Sequence, residues 1–477
     1  MRRFRKSKII ATLGPQTSSK EKIEELFLGG ADVFRLNFSH GTHEDHKKNI
    51  LYIREVEERY RRPIAIMVDL QGPKLRIGMF DHGSIFLKEG DSFCIDTQKA
   101  PGSKDRIYIS NTEIFKVVKN GGHILLDDGK IILKITECGT DFIITKVIQG
   151  GKLSSKKGVN LPDCKIAISA LTEKDKQDLD FCLTLDIDWV ALSFVQHAQD
   201  IIDIKALIKG RAKVIAKIEK PQALENINDI IFHSDAIMLA RGDLGVEVSL
   251  EAVPVIQKKI LQKCKQQGRP VIIATQMLES MIYQASPTRA EASDVATAIY
   301  DGADAVMLSA ETATGDYPVQ AVKMMDKIIK TVEHDLTDNM QVHAALSSLD
   351  LELGKDAMMN ATKNVASTLK ASVIVSFTMC GGSILRLARQ RPFSPIIALS
   401  TEQKTCRMLT LVWGVHAIIM HSKVFSFQQM YDTAFDAAYQ ENFAKNGDSI
   451  VISAGVPFGI TESSNLLHVA SINKMEI

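Results

Sequence analysis

Short apolar runs recur along the chain, each stopped by polar residues or Gly and followed by a stretch with helical spacing. Eight of these runs read as strands, at 8–12, 33–37, 64–69, 189–194, 213–217, 236–241, 270–275 and 305–309. Strands that are apolar almost throughout and alternate with helices belong to a parallel sheet covered on both faces. Eight such units predict an α/β protein built on a closed (β/α)8 barrel, the TIM barrel. A weak internal repeat supports the count, because several strands are entered through an acidic turn: Asp32, Asp186 with Asp188, Asp235 and Asp304. The capping box Thr288–Glu291 predicts a helix that ends near Gly302.

Between the third and fourth strands the texture changes. Twelve of the 29 glycines fall between Gly72 and Gly158, among short alternating segments such as 84–87, 123–126 and 142–147. That pattern predicts a small antiparallel β unit inserted over the barrel mouth as a lid. After a polar stretch at 341–355 the alternation resumes, with strands at 371–377, 395–399, 415–420 and 449–453 and helices at 356–370, 383–391 and 425–445. This is the pattern of an open, doubly wound α/β domain. The expected division is a barrel over 1–70 plus 167–340, an inserted β-barrel lid over 71–166, and a C-terminal domain over 341–477.

Composition narrows the picture only a little. In 477 residues, 45% hydrophobic and 24% charged content is that of an ordinary globular protein, and 58 basic against 57 acidic residues leave a net charge of +1. No global field for nucleic acid or membrane exists, so neither is expected as a partner. No apolar run of about 18 residues is present to span a bilayer. Seven scattered cysteines, never in C-x-x-C spacing, read as reduced thiols of a cytoplasmic protein.

Candidate chemistry gathers at the strand ends, where a barrel keeps its binding residues. After the second strand stands Arg35-Leu36-Asn37-Phe38-Ser39-His40-Gly41, with Arg35, Asn37 and Ser39 on one face. An Arg on a buried strand needs an anion, supplied either by a phosphate or by an internal ion pair. The third strand ends in Asp69-Leu70-Gln71-Gly72-Pro73-Lys74-Leu75-Arg76, a hinge that delivers Asp69, Lys74 and Arg76 to the cleft or is a plain turn with solvated charges. Lys217-Ile218-Glu219 and Arg241-Gly242-Asp243-Leu244-Gly245 follow the fifth and sixth strands. Two carboxylates, Glu219 and Asp243, suit Mg²⁺, which takes one or two protein carboxylates and fills its remaining sites with water and substrate oxygens. A Lys217 salt bridge is the structural alternative and is compatible with it. Gly242 and Gly245 allow close backbone approach to a small carboxylate. Thr275 and Ser309 place hydroxyls at the last two rims, to hold a carboxylate, to relay a proton, or merely to cap a turn. His43-Glu44-Asp45-His46 lacks zincin spacing and is expected on a solvated helical face; Lys156-Lys157-Gly158 is a basic turn or a nucleotide contact of the lid.

With these residues in view, the chain resembles the pyruvate kinase family end to end. The resemblance rests on 8–15, 35–41, the Gly72-Pro73 hinge, 215–219, 240–247, 274–281 and 307–318, in order. It implies phosphoryl transfer from phosphoenolpyruvate to ADP, giving pyruvate and ATP. It further implies Mg²⁺, with Mn²⁺ as an alternative, on Glu219 and Asp243; Lys217, Arg35 and Arg76 on the phosphoryl group; and Gly242, Asp243 and Thr275 at the substrate. Thr275 and Ser309 would serve enolate protonation, and Asn37, His40, Arg76 and Lys157 would meet the nucleotide. The family implies a homotetramer.

Two departures from the family pattern carry information. Relatives that need K⁺ have Glu where this chain has Lys74, and Thr and Lys where it has Leu70 and Gln71. A fixed ammonium beside Asn37, Ser39, Asp69 and Leu70 therefore predicts a bacterial-type enzyme that does not require K⁺. In the C-terminal domain the effector loop keeps Thr378 and Ser383 but has Gly382 at a frequent basic or polar position. The 455–461 loop resembles relatives activated by nucleotide or sugar monophosphates. The rivals are a metal-dependent aldolase on the same barrel and a non-catalytic metabolite-binding protein.

Overall fold

In a computed structural model, residues 2–162, 164, 169–338, 354–457 and 464–472 are described. The eight expected strands form a closed parallel barrel: β1 (Lys8–Leu13), β2 (Val33–Asn37), β3 (Ala65–Asp69), β4 (Trp189–Leu192), β5 (Lys213–Ile218), β6 (Ala236–Ala240), β7 (Val271–Ala274) and β8 (Ala305–Leu308). Ile10, Met67, Trp189, Met238, Ile272 and Met307 fill its interior. The alternate residues, such as Ile9, Phe34, Ile66 and Val190, meet the surrounding helices.

The acidic turns of the sequence repeat have a structural reason. Asp32 accepts from Ile9 N (3.0 Å), Asp188 from Ile66 N (2.8 Å), Asp235 from Val214 N (2.9 Å) and Asp304 from Val271 N (2.9 Å). The backbone N–H of each Asp donates to the carbonyl of that same residue. Each carboxylate thus brackets an even strand to the odd one before it, so four βαβα quarters share one device. It satisfies strand-end donors that the sheet leaves open at its N-terminal edge.

Between β3 and β4 lie a two-stranded sheet (Ser84–Leu87 with Gly151–Ser154) and a six-stranded sheet containing His123–Leu126, Ile131–Cys138 and Phe142–Gln149. They are antiparallel except for one parallel pair, Ser92–Asp96 with Arg106–Tyr108. The last unit carries β9 (Val373–Phe377), β10 (Ile396–Ser400), β11 (Val415–Ile419), β12 (Ser449–Ala454) and β13 (Leu466–Ser471), ordered β11-β10-β9-β12-β13. The edge strand β13 runs antiparallel and was not foreseen; its alternating polar positions give a weaker signal than the buried strands. The helix Gln403–Leu409 was missed as well, being short. The stretch 341–353 and most of the 455–461 loop lie outside the described residues.

A buried charge cluster ties this unit to the barrel. Arg407 donates to Glu57 with both Nε (2.8 Å) and Nη2 (2.5 Å) and also pairs with Asp186, while Lys8 Nζ donates to Val415 O (2.6 Å). Among the described residues no helix is long and apolar enough to cross a membrane. All seven cysteines are free thiols.

Candidate active site

At the C-terminal ends of β2, β3 and β5 a chain of charges runs across the barrel mouth. Asp69 is fully buried, with Arg35 Nε on Oδ2 (2.7 Å) and Lys217 Nζ on Oδ1 (3.1 Å). Lys217 also reaches Glu219 Oε1 (3.0 Å) and donates to Ser193 Oγ (2.7 Å), which donates on to Leu70 O (2.7 Å). Glu219 Oε2 accepts from Phe194 N (2.9 Å), and Arg35 Nη1 donates to Thr12 Oγ1 (3.1 Å). Strand register explains the grouping, because Thr12 pairs with Arg35 and Asn37 with Asp69 on neighbouring strands.

Burial alone would strip charge from this cluster, but pairing opposes it. Desolvation pulls the Lys217 ammonium down, yet Asp69 and then Glu219 outweigh it and hold its pKa above the ordinary value. Desolvation likewise raises Asp69, but Lys217 and Arg35 keep it below the usual carboxylate range. Glu219 is raised, by burial first and with the Asp243 charge adding, against the opposing pull of Lys217. Two carboxylates sharing one field in this way fit a divalent cation.

Asp243 lies in a helix, Arg241–Glu247, where a Gly-rich turn was expected. Lys74 Nζ stands 3.1 Å from its Oδ1. Lys74 thus meets Asp243, and the oxygens of Asp69 are already held by Arg35 and Lys217; Asp69 presents no free charge to the cleft. Three cations (Arg35, Lys74, Lys217) balance three acids (Asp69, Glu219, Asp243).

Thr275 follows β7 in the left-handed region, φ +70°, and Gln276 repeats it at +56°. For a β-branched residue this stores strain, about 1–3 kcal/mol. Gly242 N donates to Thr275 Oγ1 (2.7 Å) and Arg241 Nη2 to Thr275 O (3.0 Å). Arg241 is itself gripped by both oxygens of Asp294, each at 2.6 Å. A Cβ on Gly242 would stand 3.3 Å from Thr275 Oγ1, so glycine keeps that approach open. After β8, Ser309 N donates to Glu311 Oε2 (2.6 Å), whose other oxygen accepts from Leu278 N (3.3 Å) and joins the last two rim loops.

The remaining candidates sit farther out. His40 is exposed, and its carbonyl accepts from His46 Nε2 (3.0 Å); Asn37 Oδ1 takes Ser39 N (3.1 Å). Glu44 and Asp45 are exposed as expected, but His46 is buried and stacked on Phe38, and the half-buried His43 stacks on Phe181 and pairs with Asp178. Arg76 donates to Lys156 O (3.0 Å) and Lys157 pairs with Asp127 (2.8 Å), both within the inserted unit. Thr378 Oγ1 accepts from Gly381 N (2.9 Å), and Ser383 lies in the first turn of the helix Gly382–Arg389. A cleft of about 520 Å³ between the inserted unit and the barrel is lined by Lys74, Asn160, Phe194 and Lys220, among others.

The barrel-domain model of pyruvate kinase matches residues 4–322, and the model of its alpha/beta domain matches 356–470. The chain belongs to the pyruvate kinase family. It is 46% identical to the pyruvate kinase of Methylorubrum extorquens, over 99% of both chains. It is 42% identical to that of Geobacillus stearothermophilus, over 99% of this chain and 81% of the other. The solved structure of a pyruvate kinase from Cryptosporidium parvum superposes with a TM-score of 0.92 at 34% identity, covering 98% of this chain and 96% of that one.

Several parts of this pyruvate kinase rim escaped the sequence reading. Ser193 and Thr12, which support Lys217 and Arg35, sit in apolar runs and look like ordinary strand hydroxyls. Arg241 stands in its motif with no partner visible in the sequence, because Asp294 lies 53 residues away in the chain. Lys220, Glu247 and Asn160 join the barrel to the inserted unit, with Lys220 Nζ (2.5 Å) and Asn160 Nδ2 (2.7 Å) both on Glu247 Oε1. No local pattern announces such a bridge.

Proposed function

We propose that this rim transfers the phosphoryl group of phosphoenolpyruvate to ADP, giving ATP and, after protonation of the enolate, pyruvate. The observation that carries the reading is Lys217: a buried ammonium kept charged by Asp69 and Glu219, fixed in place before substrate arrives. Phosphoryl transfer asks a protein chiefly for positioned charge, and a preorganised cation meets that demand. Lys217, Arg35 and Arg76 neutralise the moving phosphoryl group. Gly242, Asp243 and Thr275 orient the substrate, and Thr275 and Ser309 deliver the proton through water. Asn37, His40, Arg76 and Lys157 receive the nucleotide when the inserted unit closes and excludes water. Glu219 and Asp243 hold Mg²⁺ or Mn²⁺, which when bound supplies Lewis-acid stabilisation of the substrate's oxygens.

Lys74, resting on Asp243, stands in for the K⁺ expected near Asn37, Ser39, Asp69 and Leu70, so the enzyme works without it. The Thr378–Ser383 loop takes a nucleotide or sugar monophosphate as allosteric effector. The units divide as 1–70 with 167–340, 71–166 and 341–477, in a cytoplasmic homotetramer.

A coupled pyruvate assay with phosphoenolpyruvate, ADP and Mg²⁺ tests the core of this reading against an aldolase or a non-catalytic protein. Lys217→Met should lower turnover by about 10³-fold or more. A wild type that makes no pyruvate, or a variant that matches it, would sink the assignment.

A further inference from the structure

At the end of the barrel opposite the rim, two cationic edges meet across the seam with the C-terminal unit. From the barrel come Lys265, in the last turn of the helix Val253–Gln267, and Arg269, just before β7. From the other side come Arg389, at the end of the helix Gly382–Arg389, and Arg391. With Asp304 and an apolar floor from Leu385 and Val412 they line a cleft of about 280 Å³.

The nitrogens of these groups are only partly used. Arg391 Nη2 donates to Gly302 O (2.9 Å) and lies 3.1 Å from Asp304 Oδ1, with the guanidinium over the Trp413 ring, but its Nε and Nη1 have no acceptor among the described residues. Arg389 Nη2 stands 2.9 Å from Asp356, and its Nε has no acceptor. Arg269 Nη2 reaches Phe232 O (2.9 Å), and its Nε has none. The Lys265 ammonium makes no hydrogen bond or ion pair among the described residues; burial, with Arg391 adding, lowers its pKa to about 8.

Cations at helix C-termini often serve the end carbonyls. Here Cys264 O and Lys265 O already accept from Arg269 N and Gly268 N, and Leu387 O and Ala388 O accept from Gln390 N and Arg391 N. Four cations face Asp304 and Asp356, the latter shared with Arg386 (3.8 Å), and the Arg389 and Arg391 side chains are only 9% and 7% exposed. Unsatisfied guanidinium nitrogens in such a place are costly unless an anion completes them.

We propose that this seam is a binding site for a phosphate dianion, free or as a monoester, distinct from both the barrel rim and the Thr378–Ser383 loop. Planar guanidinium forks beside an ammonium suit phosphate oxygens. The site joins two elements with separate far ends: β7 runs from beside Arg269 to Thr275, and the helix of Arg389 begins at the Thr378–Ser383 loop. A bound phosphate clamps the two units at this point. Resting on the pyruvate kinase reading, it should also shift the KM for phosphoenolpyruvate.

Calorimetric titration of the full-length protein with inorganic phosphate, and separately with glycerol 3-phosphate, tests the site without any activity readout. Saturable binding at about 1 mM or tighter is expected for at least one probe, and the two arms separate free phosphate from a monoester. Lys265→Met, which breaks no pairing, and Arg389→Gln should each weaken that binding at least about tenfold, in proportion to a lost charge-assisted contact. Lys217→Met and the double variant Thr378→Ala/Ser383→Ala should leave it in place, and thermal unfolding midpoints confirm that each variant is folded. Absence of saturable binding, binding unmoved by Lys265→Met, or binding abolished by the loop or rim variants would each overturn the site.

Discussion

Lys74→Met separates a charge that belongs to the chemistry from one that merely decorates the surface. With three cations against three acids the rim is neutral, and the variant leaves it at −1 before any phosphate arrives. At 3.1 Å from Asp243 the bare Coulomb attraction is about 5 kcal/mol at an effective dielectric of about 20. The two side chains are 27% and 29% exposed, however, so solvent screening leaves roughly 1 kcal/mol for the pair's share of stability. Folding should therefore barely change. Transition-state charge is a different matter: losing a cation worth about 2 kcal/mol to the transferring phosphoryl group lowers turnover about 30-fold. Coupled assays in tetramethylammonium buffer, with and without K⁺, should show a wild type indifferent to K⁺ and a variant that recovers activity when K⁺ is added. A wild type that collapses without K⁺, or a K⁺-free variant as active as wild type, refutes the reasoning.

Arg241→Met should release the strained Thr275 and lower kcat/KM about 10- to 100-fold; Asp294→Asn should do much the same, and the double variant little more, because both act through one contact. If the two losses add in full, the coupling is wrong. Arg407→Met removes one of two cations from the buried Glu57, which keeps Arg54 (3.1 Å) and Ile64 N (3.0 Å), and should cost about 1.5–3 kcal/mol, read as a lower unfolding midpoint, with Glu57→Gln in the same chain recovering part of it. An unchanged midpoint would show that the seam is not held there. Lys265→Met should stabilise the protein at pH 7. The folded pKa of about 8 lies below the unfolded value, so the unfolded state binds more protons between the two and wild-type stability rises with pH across that window. The gain at pH 7 is about 2 kcal/mol after discounting for partial exposure, and the gap closes towards pH 10; a gap independent of pH contradicts it.

Much of the architecture was legible because it is local. Strands buried on both faces must be continuously apolar, and where Asp69, Glu219 or Arg241 ends the run the strand stops and the rim begins. The acidic turns could be counted as a repeat from the sequence, but their purpose, accepting a strand-end N–H from the preceding strand, appears only when the strands are side by side. The edge strand β13 escaped because an edge need not be apolar.

The sequence by itself determined which residue types stand at the strand ends, and through them the family: Lys217, Glu219, Asp243 and Thr275 are readable because side-chain chemistry and strand termination are both properties of neighbours in the chain. Partnership was decided only by the tertiary structure. Asp69 was read as a charge for the cleft and is a buried counterion; Lys74 was read beside Asp69 and rests on Asp243; Arg241 had no task until Asp294 came within 2.6 Å. Coulomb energy and desolvation depend on distance and burial, and barrel closure sets both by joining residues far apart in sequence.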